Sequence, residues 1–442
     1  MQTEKESICF KRESRFRNYK MDKIEITGGK SLNGKIRISG SKNSALPILA
    51  ASLLTEEKIS VSNVPNLSDI FSMLELLKSL NVKINKRKDK IDLTSSTPRS
   101  LLAHYDLVRK MRASFLILGP LLARYGKAKV SLPGGCAIGN RPVNLHLDGL
   151  ERMGVTFKIE DGYVTGSIDG RLKGAIINLN KISVGATENL IMAATLAEGT
   201  TIITNAAQEP EISDLSKLLI RMGANIKGFG TKKIVIYGVK KLKSCSYEIM
   251  PDRIESGTYI LCVFGCGGIV KLENVNNEIC DHLIKIFKKL KSLQLKKNDN
   301  GKNLLIKKKK NSELSLIVKT KEYPGFPTDL QAQLTSSLLK TKGRSEIVEN
   351  IFENRFMHIG ELIRMGANVK QIGSKVIVKE CKKLRGAEVM ATDLRASSCL
   401  VIAALMADGK TTINRVYHLD RGYENLEKKL KLCGAQIKRV KS

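Results

Sequence analysis

The stretch ATENLIMAATLAEGTTIITN, Ala186 to Asn205, decides the architecture of this chain. Residues 186–198 are apolar and small with few charges, which reads as a helix, and Gly199 closes it. Residues 200–204 are rich in β-branched side chains and read as a strand. Upstream, residues 175–179 read as another strand. Downstream, residues 211–222 place Leu215, Leu218, Leu219 and Met222 at helical spacing, so this helix is amphipathic. Gly223 ends it, and residues 224–226 and 233–237 are two further strands around a turn at 228–230. The unit is β-α-β-α-β-β.

The same phrase recurs six times. Its first helix and following strand stand at residues 45–64, 114–132, 186–205, 256–274, 328–350 and 396–414, the strand often ending near Asn. The second helix closes alike at Met153-Gly154, Met222-Gly223, Met365-Gly366 and Cys433-Gly434, with Leu80-Asn81 in the first copy. Gly or Asn there fits a left-handed C-cap. The fourth copy lacks this signal around Leu290-Lys291-Ser292 and is rich in lysine, so its boundaries stay open. A repeat of this length predicts an α/β fold with right-handed crossovers, and six units divide most simply into two domains of three.

At 442 residues and 42% hydrophobic content, the chain is long enough for more than one core. No apolar run approaches the ~20 residues of a membrane helix. The first 20 residues carry Glu4, Glu6 and Glu13, have no apolar core like that of a signal peptide, and read as a flexible extension. Nine cysteines with no CxxC pair read as reduced thiols of a cytoplasmic protein, with Cys262, Cys266, Cys399 and Cys433 as small core residues. The net charge of +32 invites a nucleic-acid reading. However, the lysines are dispersed, aromatics are only 5%, and there is no Trp to stack on bases, so neither a nucleic-acid nor a membrane partner is expected. The dense run at Lys307, Lys308, Lys309 and Lys310 reads as a solvated strand end.

The copies differ at the start of the first helix. Copy one has Lys42-Asn43, copy two Arg112, and copy three Lys181, Ser183 and Gly185. Copy four has Asp252-Arg253, copy five Thr328-Asp329, and copy six Asp393 and Arg395. Ser, Thr and Asp at such positions are ordinary caps. Lys42, Arg112, Lys181 and Arg395 are poor caps at the positive end of a helix dipole, and an anionic ligand gives them a reason to be there. Copy two also runs into Pro133-Gly134-Gly135-Cys136-Ala137-Ile138-Gly139-Asn140-Arg141-Pro142. A thiol in a glycine-rich loop, five residues from an arginine, is either a reactive acid or nucleophile or an incidental cysteine in a turn. In Phe326-Pro327-Thr328-Asp329 the carboxylate is either a base or an N-cap. Arg355 and Arg421 lie in loops after strands.

These motifs together resemble the UDP-N-acetylglucosamine 1-carboxyvinyltransferase family, the UDP-GlcNAc enolpyruvyl transferases. The resemblance rests on Ser41-Lys42-Asn43-Ser44-Ala45, residues 132–141, residues 181–187, residues 326–333, residues 352–358, Ala391-Thr392-Asp393-Leu394-Arg395-Ala396-Ser397 and residues 418–423. It implies two inside-out α/β barrel domains, each of three β-α-β-α-β-β repeats: residues 43–250, and residues 21–42 with 251–442, with the active site in the cleft between them. It implies transfer of the enolpyruvyl group of phosphoenolpyruvate to the 3′-hydroxyl of UDP-N-acetylglucosamine, with no cofactor and no metal. By resemblance Cys136 is the catalytic thiol, Asp329 takes the hydroxyl proton, and Lys42, Arg141 and Arg421 surround phosphoenolpyruvate. Arg112, Arg141, Pro142, Val143, Asn144, Leu145, Lys181, Ser183, Val184, Asp329 and Ile351 match the UDP-sugar contacts. Asn43, Gly185, Arg355, Asp393 and Arg395 complete the candidate substrate-binding set. Asn144 departs from the Asp common in the family, which predicts altered nucleotide affinity. Rival readings are the related transfer to shikimate 3-phosphate and a non-catalytic nucleic-acid-binding scaffold.

Overall fold

In the computed structural model the described residues are 22–109, 111–133, 143–298, 300–309 and 315–441. The 20-residue extension and the Cys136 loop therefore lie outside them. Among the described residues the strands form six four-stranded sheets. In repeat three, Ile176–Asn178 runs parallel to Thr200–Thr204, which pairs antiparallel with Lys233–Tyr237, which pairs antiparallel with Asn225–Lys227. The parallel pair requires a crossover, and the helix Val184–Ala194 supplies it.

The recurring asparagine has a structural reason. Asn63, Asn205 and Asn274 adopt left-handed φ values of 55°, 54° and 58° where the second strand ends. Each side-chain amide donates to a main-chain carbonyl just beyond the parallel first strand: Asn63 to Ile249 at 2.8 Å, Asn205 to Leu179 at 2.7 Å, and Asn274 to Ile38 at 2.7 Å. Repeats five and six keep a longer version through Asn350 and Asn414. The second helices end as the sequence suggests, with Gly154, Gly223, Gly366, Gly434 and Asn81 all at positive φ. The fourth repeat, whose signals are weakest in the sequence, retains every element: helix Asn277–Phe287 capped by Asn276, then strands Leu293–Lys297 and Asn303–Lys308.

Three sheets borrow a strand from a distant part of the chain. Repeat one takes Cys245–Glu248 as its first strand. Repeat four takes Leu32–Arg37, and repeat six inserts Lys23–Thr27 between Lys410–Asn414 and Gln436–Val440. The first helices are buried all round: residues 186–194, 253–264 and 395–406 have no exposed position. Their small and apolar residues on every face suit a central position, whereas the second helices stay amphipathic at the surface. Two hydrophobic cores result. One runs from Ala45 to Ile249, and the other combines Ile24 to Ile38 with Met250 to Ile437. The chain passes between them at residues 39–42 and 250–252, where Gly40 bridges Pro251 and Ser41 N–H donates to the Met250 carbonyl at 2.8 Å.

The first helices do not all begin alike. Ser41, Ser183, Asp252 and Asp393 each cap one through a side-chain acceptor. Repeats two and five instead open as 3₁₀ turns, Arg112–Ile117 and Thr328–Leu330, with no side-chain cap among the described residues. A 3₁₀ turn satisfies early N–H groups without a cap. The capping alternative for Thr328 and Asp329 is thus not realised.

The asparagine device predicts an order of stabilities. Asn205→Gly keeps the left-handed backbone but loses the amide bond. Asn205→Ala loses both and should cost about 2 kcal/mol. Thermal melts should rank wild type above Asn205→Gly above Asn205→Ala, and equal melting of Gly and Ala variants would contradict the backbone argument.

Candidate active site

Two carboxylates organise the cationic side chains that the sequence singles out. Lys42 lies in the first turn of the helix Lys42–Ala51, with its Nζ 3.4 Å from Asp69 Oδ2. Asp69, 4% exposed, belongs to the first turn of Ser68–Ser79. Arg421 Nε donates to Asp69 Oδ1 at 2.9 Å from the far end of the sequence. Burial, with the charges of Arg395 and Arg421, lowers the Lys42 ammonium below its ordinary range against the opposing pull of Asp69.

Asp329 is the second centre. Arg355 Nη2 donates to its Oδ1 at 2.5 Å and Arg395 Nη2 to its Oδ2 at 2.7 Å. Burial opposes ionisation of Asp329, but the charges of Arg395 and Arg355 and their hydrogen bonds outweigh it and hold the carboxyl well below the usual carboxylate range. The Lys42 ammonium responds to Asp69, Arg395, Arg421 and Asp329 together, so the two centres share one electrostatic environment. Tyr423 fixes their geometry. Its hydroxyl meets Thr258 Oγ1 at 2.9 Å, Gln333 Nε2 at 3.1 Å, Arg395 Nη1 at 3.2 Å and Ser398 Oγ at 3.2 Å. The first helices of repeats four, five and six thereby converge on the segment that carries Arg421. Gly257 permits the approach, because a Cβ there would stand 2.5 Å from Leu330 Cδ1, beside Asp329.

A third cluster lies in the first core. His146, in the helix Asn144–Arg152, accepts at Nδ1 from Asn189 Nδ2 at 2.9 Å, a geometry that puts the ring proton on Nε2. Its ring meets Phe115 edge-on at 5.2 Å. Burial first, then the Arg112 charge, lowers its pKa from 6.5 to about 4. Gly185 faces this imidazole, since a Cβ there would lie 3.5 Å from Nε2.

The remaining candidates fall as follows. Ser183 and Asp393 are caps, and the latter accepts from Arg395 N–H at 2.8 Å and Ala396 N–H at 3.0 Å. Lys181 and Asn144 are exposed, while Asn43, Val143, Leu145, Val184 and Ile351 are half-buried. Ile351 N–H donates to Glu349 Oε1 at 2.8 Å. Cys136, Arg141 and Pro142 lie outside the described residues. Of the basic residues at the helix starts, Lys42 and Arg395 have internal counter-charges that the sequence does not reveal. Asp69 passes in sequence for an ordinary first-turn acid, Glu349 for a strand-end residue, and His146 for a helix-face residue.

The fold is that of the enolpyruvyl transferases. A solved enolpyruvyl transferase, NikO from Streptomyces tendae, matches with a TM-score of 0.85 at 23% identity, covering 96% of this chain and 100% of that one. EPSP synthase from Acinetobacter baumannii matches with a TM-score of 0.70 at 18% identity, covering 95% and 100%. The family model described as EPSP synthase (3-phosphoshikimate 1-carboxyvinyltransferase) matches residues 26–430. Among curated proteins, the UDP-N-acetylglucosamine 1-carboxyvinyltransferase of Pelagibacter ubique is 51% identical, covering 95% of this chain and 100% of its own. That of Paramagnetospirillum magneticum is 48% identical, covering 95% and 99%. The chain belongs to the EPSP synthase family and, within it, to the UDP-N-acetylglucosamine 1-carboxyvinyltransferases.

The His146 environment predicts a pH effect. Unfolded, this side chain titrates near 6.5; folded, it titrates near 4. Between these values the unfolded state binds more protons, so this residue's contribution to stability falls as the pH falls through that window. The melting temperature of His146→Gln should therefore drop less than that of wild type between pH 6.5 and pH 4. Parallel curves for the two proteins would refute the assignment.

Proposed function

We propose that this protein transfers the enolpyruvyl group of phosphoenolpyruvate to the 3′-hydroxyl of UDP-N-acetylglucosamine and releases phosphate, the first committed step of peptidoglycan precursor synthesis in the cytoplasm. What carries the reading is the pair of carboxylates, buried Asp69 and half-buried Asp329, gathering Lys42, Arg355, Arg395 and Arg421. The shared name of its half-identical relatives supports the choice of acceptor over shikimate 3-phosphate.

Residues 43–250 form one domain and residues 21–42 with 251–442 the other, and the substrates lie in the cleft between them. Lys42, Arg141 and Arg421 hold the phosphate and carboxylate of phosphoenolpyruvate. Arg112, Val143, Asn144, Leu145 and the segment from Lys181 to Val184 hold the nucleotide, and Ile351 meets the sugar. Cys136 donates a proton to C3 of the enol while the sugar oxygen bonds to C2, giving a tetrahedral ketal. Loss of a proton from C3 and of phosphate from C2 then restores the double bond. Asp329 takes the hydroxyl proton in the addition. A carboxylate so firmly ionised is a weak base, yet it suffices, because the hydroxyl becomes acidic as its oxygen bonds to the electron-poor C2. The surrounding cations stabilise the charge that collects on the phosphate as it leaves.

Phosphate release from phosphoenolpyruvate with UDP-N-acetylglucosamine tests this directly. Wild type should turn over, Cys136→Ala should lose nearly all activity, and Cys136→Asp should retain some because a carboxyl can also donate a proton. Turnover with shikimate 3-phosphate alone would sink the reading, and undiminished Cys136→Ala turnover would remove the assigned acid. Fosfomycin, an electrophilic epoxide, should inactivate by alkylating Cys136, read as adduct mass on the peptide that contains it; adduct on another cysteine counts against the assignment.

A further inference from the structure

Glu349 has no place in the reaction as described, yet it is among the most fully bonded carboxylates near it. It follows the strand Arg344–Val348 and is 3% exposed. Its Oε1 accepts from Thr320 Oγ1 at 2.9 Å, Ile351 N–H at 2.8 Å and Phe352 N–H at 3.2 Å. Its Oε2 accepts from Thr328 Oγ1 at 2.8 Å. Because the Thr328 proton is committed to Glu349, the hydroxyl's lone pair is free to accept from Arg355 Nη1 at 2.8 Å. The other amino group of Arg355 then clamps Asp329 Oδ1. A second route runs through the main chain, since Phe352, whose N–H Glu349 holds, lays its ring 5.2 Å from the Arg355 guanidinium.

We propose that Glu349 is a positioning residue for the acceptor half of the reaction: through Thr328 and Phe352 it orients Arg355, and through Arg355 it sets the position of Asp329 against the sugar hydroxyl, while its hold on the Ile351 N–H fixes the loop beside that sugar. The inference rests on the role proposed above for Asp329. A carboxylate is required because four donors converge on it and it has no proton of its own to place. An amide at the same position would turn an N–H toward Thr328. The hydroxyl would then have to accept from it, in competition with Arg355, and the polarity of the chain would reverse.

The test is steady-state kinetics of Glu349→Gln, Thr328→Val, Thr328→Ser and the double variant Glu349→Gln with Thr328→Val, each alongside its thermal melt. Glu349→Gln and Thr328→Val should each lower kcat by roughly 10- to 100-fold, as expected when a reacting group shifts by about an ångström. The KM for phosphoenolpyruvate should stay within about twofold of wild type, because Lys42 and Arg421 are untouched. Thr328→Ser keeps the hydroxyl and should retain near-wild-type kcat. The double variant should be no worse than the poorer single, because both break one chain. With the arginine clamp loosened, the acid limb of the kcat profile should move to higher pH in the impaired variants, which a loss of stability alone would not cause.

Wild-type kcat in both Glu349→Gln and Thr328→Val would overturn the inference, as would additive losses in the double variant or an unmoved acid limb. If Glu349→Gln fails to fold, Glu349→Asp takes its place: it keeps the charge but withdraws the carboxylate from Thr328, and it should lower kcat while Thr328→Ser does not. A wild type that releases no phosphate would overturn the functional reading and this inference together, whereas active wild type with unaffected variants would overturn the inference only.

Discussion

Six helices packed with no wet face impose the main constraint on this molecule. A helix buried on every side cannot leave its first N–H groups to solvent, so each start must find a partner inside the protein. Four starts find a Ser or Asp cap. The other two tighten into 3₁₀ turns, and those turns carry Arg112 and Asp329. One of these caps is shared: Asp252 accepts the Ile254 and Glu255 N–H groups with Oδ1 and the Lys42 N–H, at 3.2 Å, with Oδ2. One carboxylate thus ties the helix starts of repeats one and four across the point where the chain passes between its two cores.

Charge is the second consequence. Asp69 is paired with Lys42 and Arg421, and Asp329 with Arg355 and Arg395, so each of these carboxylates meets two cations. Holding two cations on each carboxylate in fixed geometry avoids the cost of isolated buried charge. Cations placed in this way suit two anionic substrates and a phosphate leaving group. The same pairing keeps Asp329 ionised, a balance set by Arg355 and Arg395 rather than by exposure to water.

The repeat, its helix ends and its punctuation by Gly and Asn are legible in the sequence because they depend on neighbours a few residues apart. Left-handed Gly223 or Asn205 needs only its own backbone to be recognised. Asp69 is different. Its partners are Lys42, 27 positions away, and Arg421, 352 positions away, and nothing in the local pattern of Ser68-Asp69 separates it from an ordinary helix-start acid. Glu349 is hidden in the same way: it follows a strand and precedes the recurring Asn, so it reads as repeat rather than as site. The fourth repeat shows the converse. Its sequence signals faded while its fold persisted, because buried Leu283, Phe287 and Leu290 hold it against the second core.

By itself the sequence determined the sixfold β-α-β-α-β-β repeat, the apolar and amphipathic character of its two kinds of helix, and the family to which the motifs point. Those properties follow from local backbone preference and hydrophobic periodicity, which need no partner. Only the tertiary structure decided which strand completes which sheet, with Lys23–Thr27, Leu32–Arg37 and Cys245–Glu248 closing repeats far from them in sequence. It alone decided how the charges at the helix starts are paired. Both are long-range choices, made by hydrogen bonds and ion pairs between segments that meet only once the helices have packed.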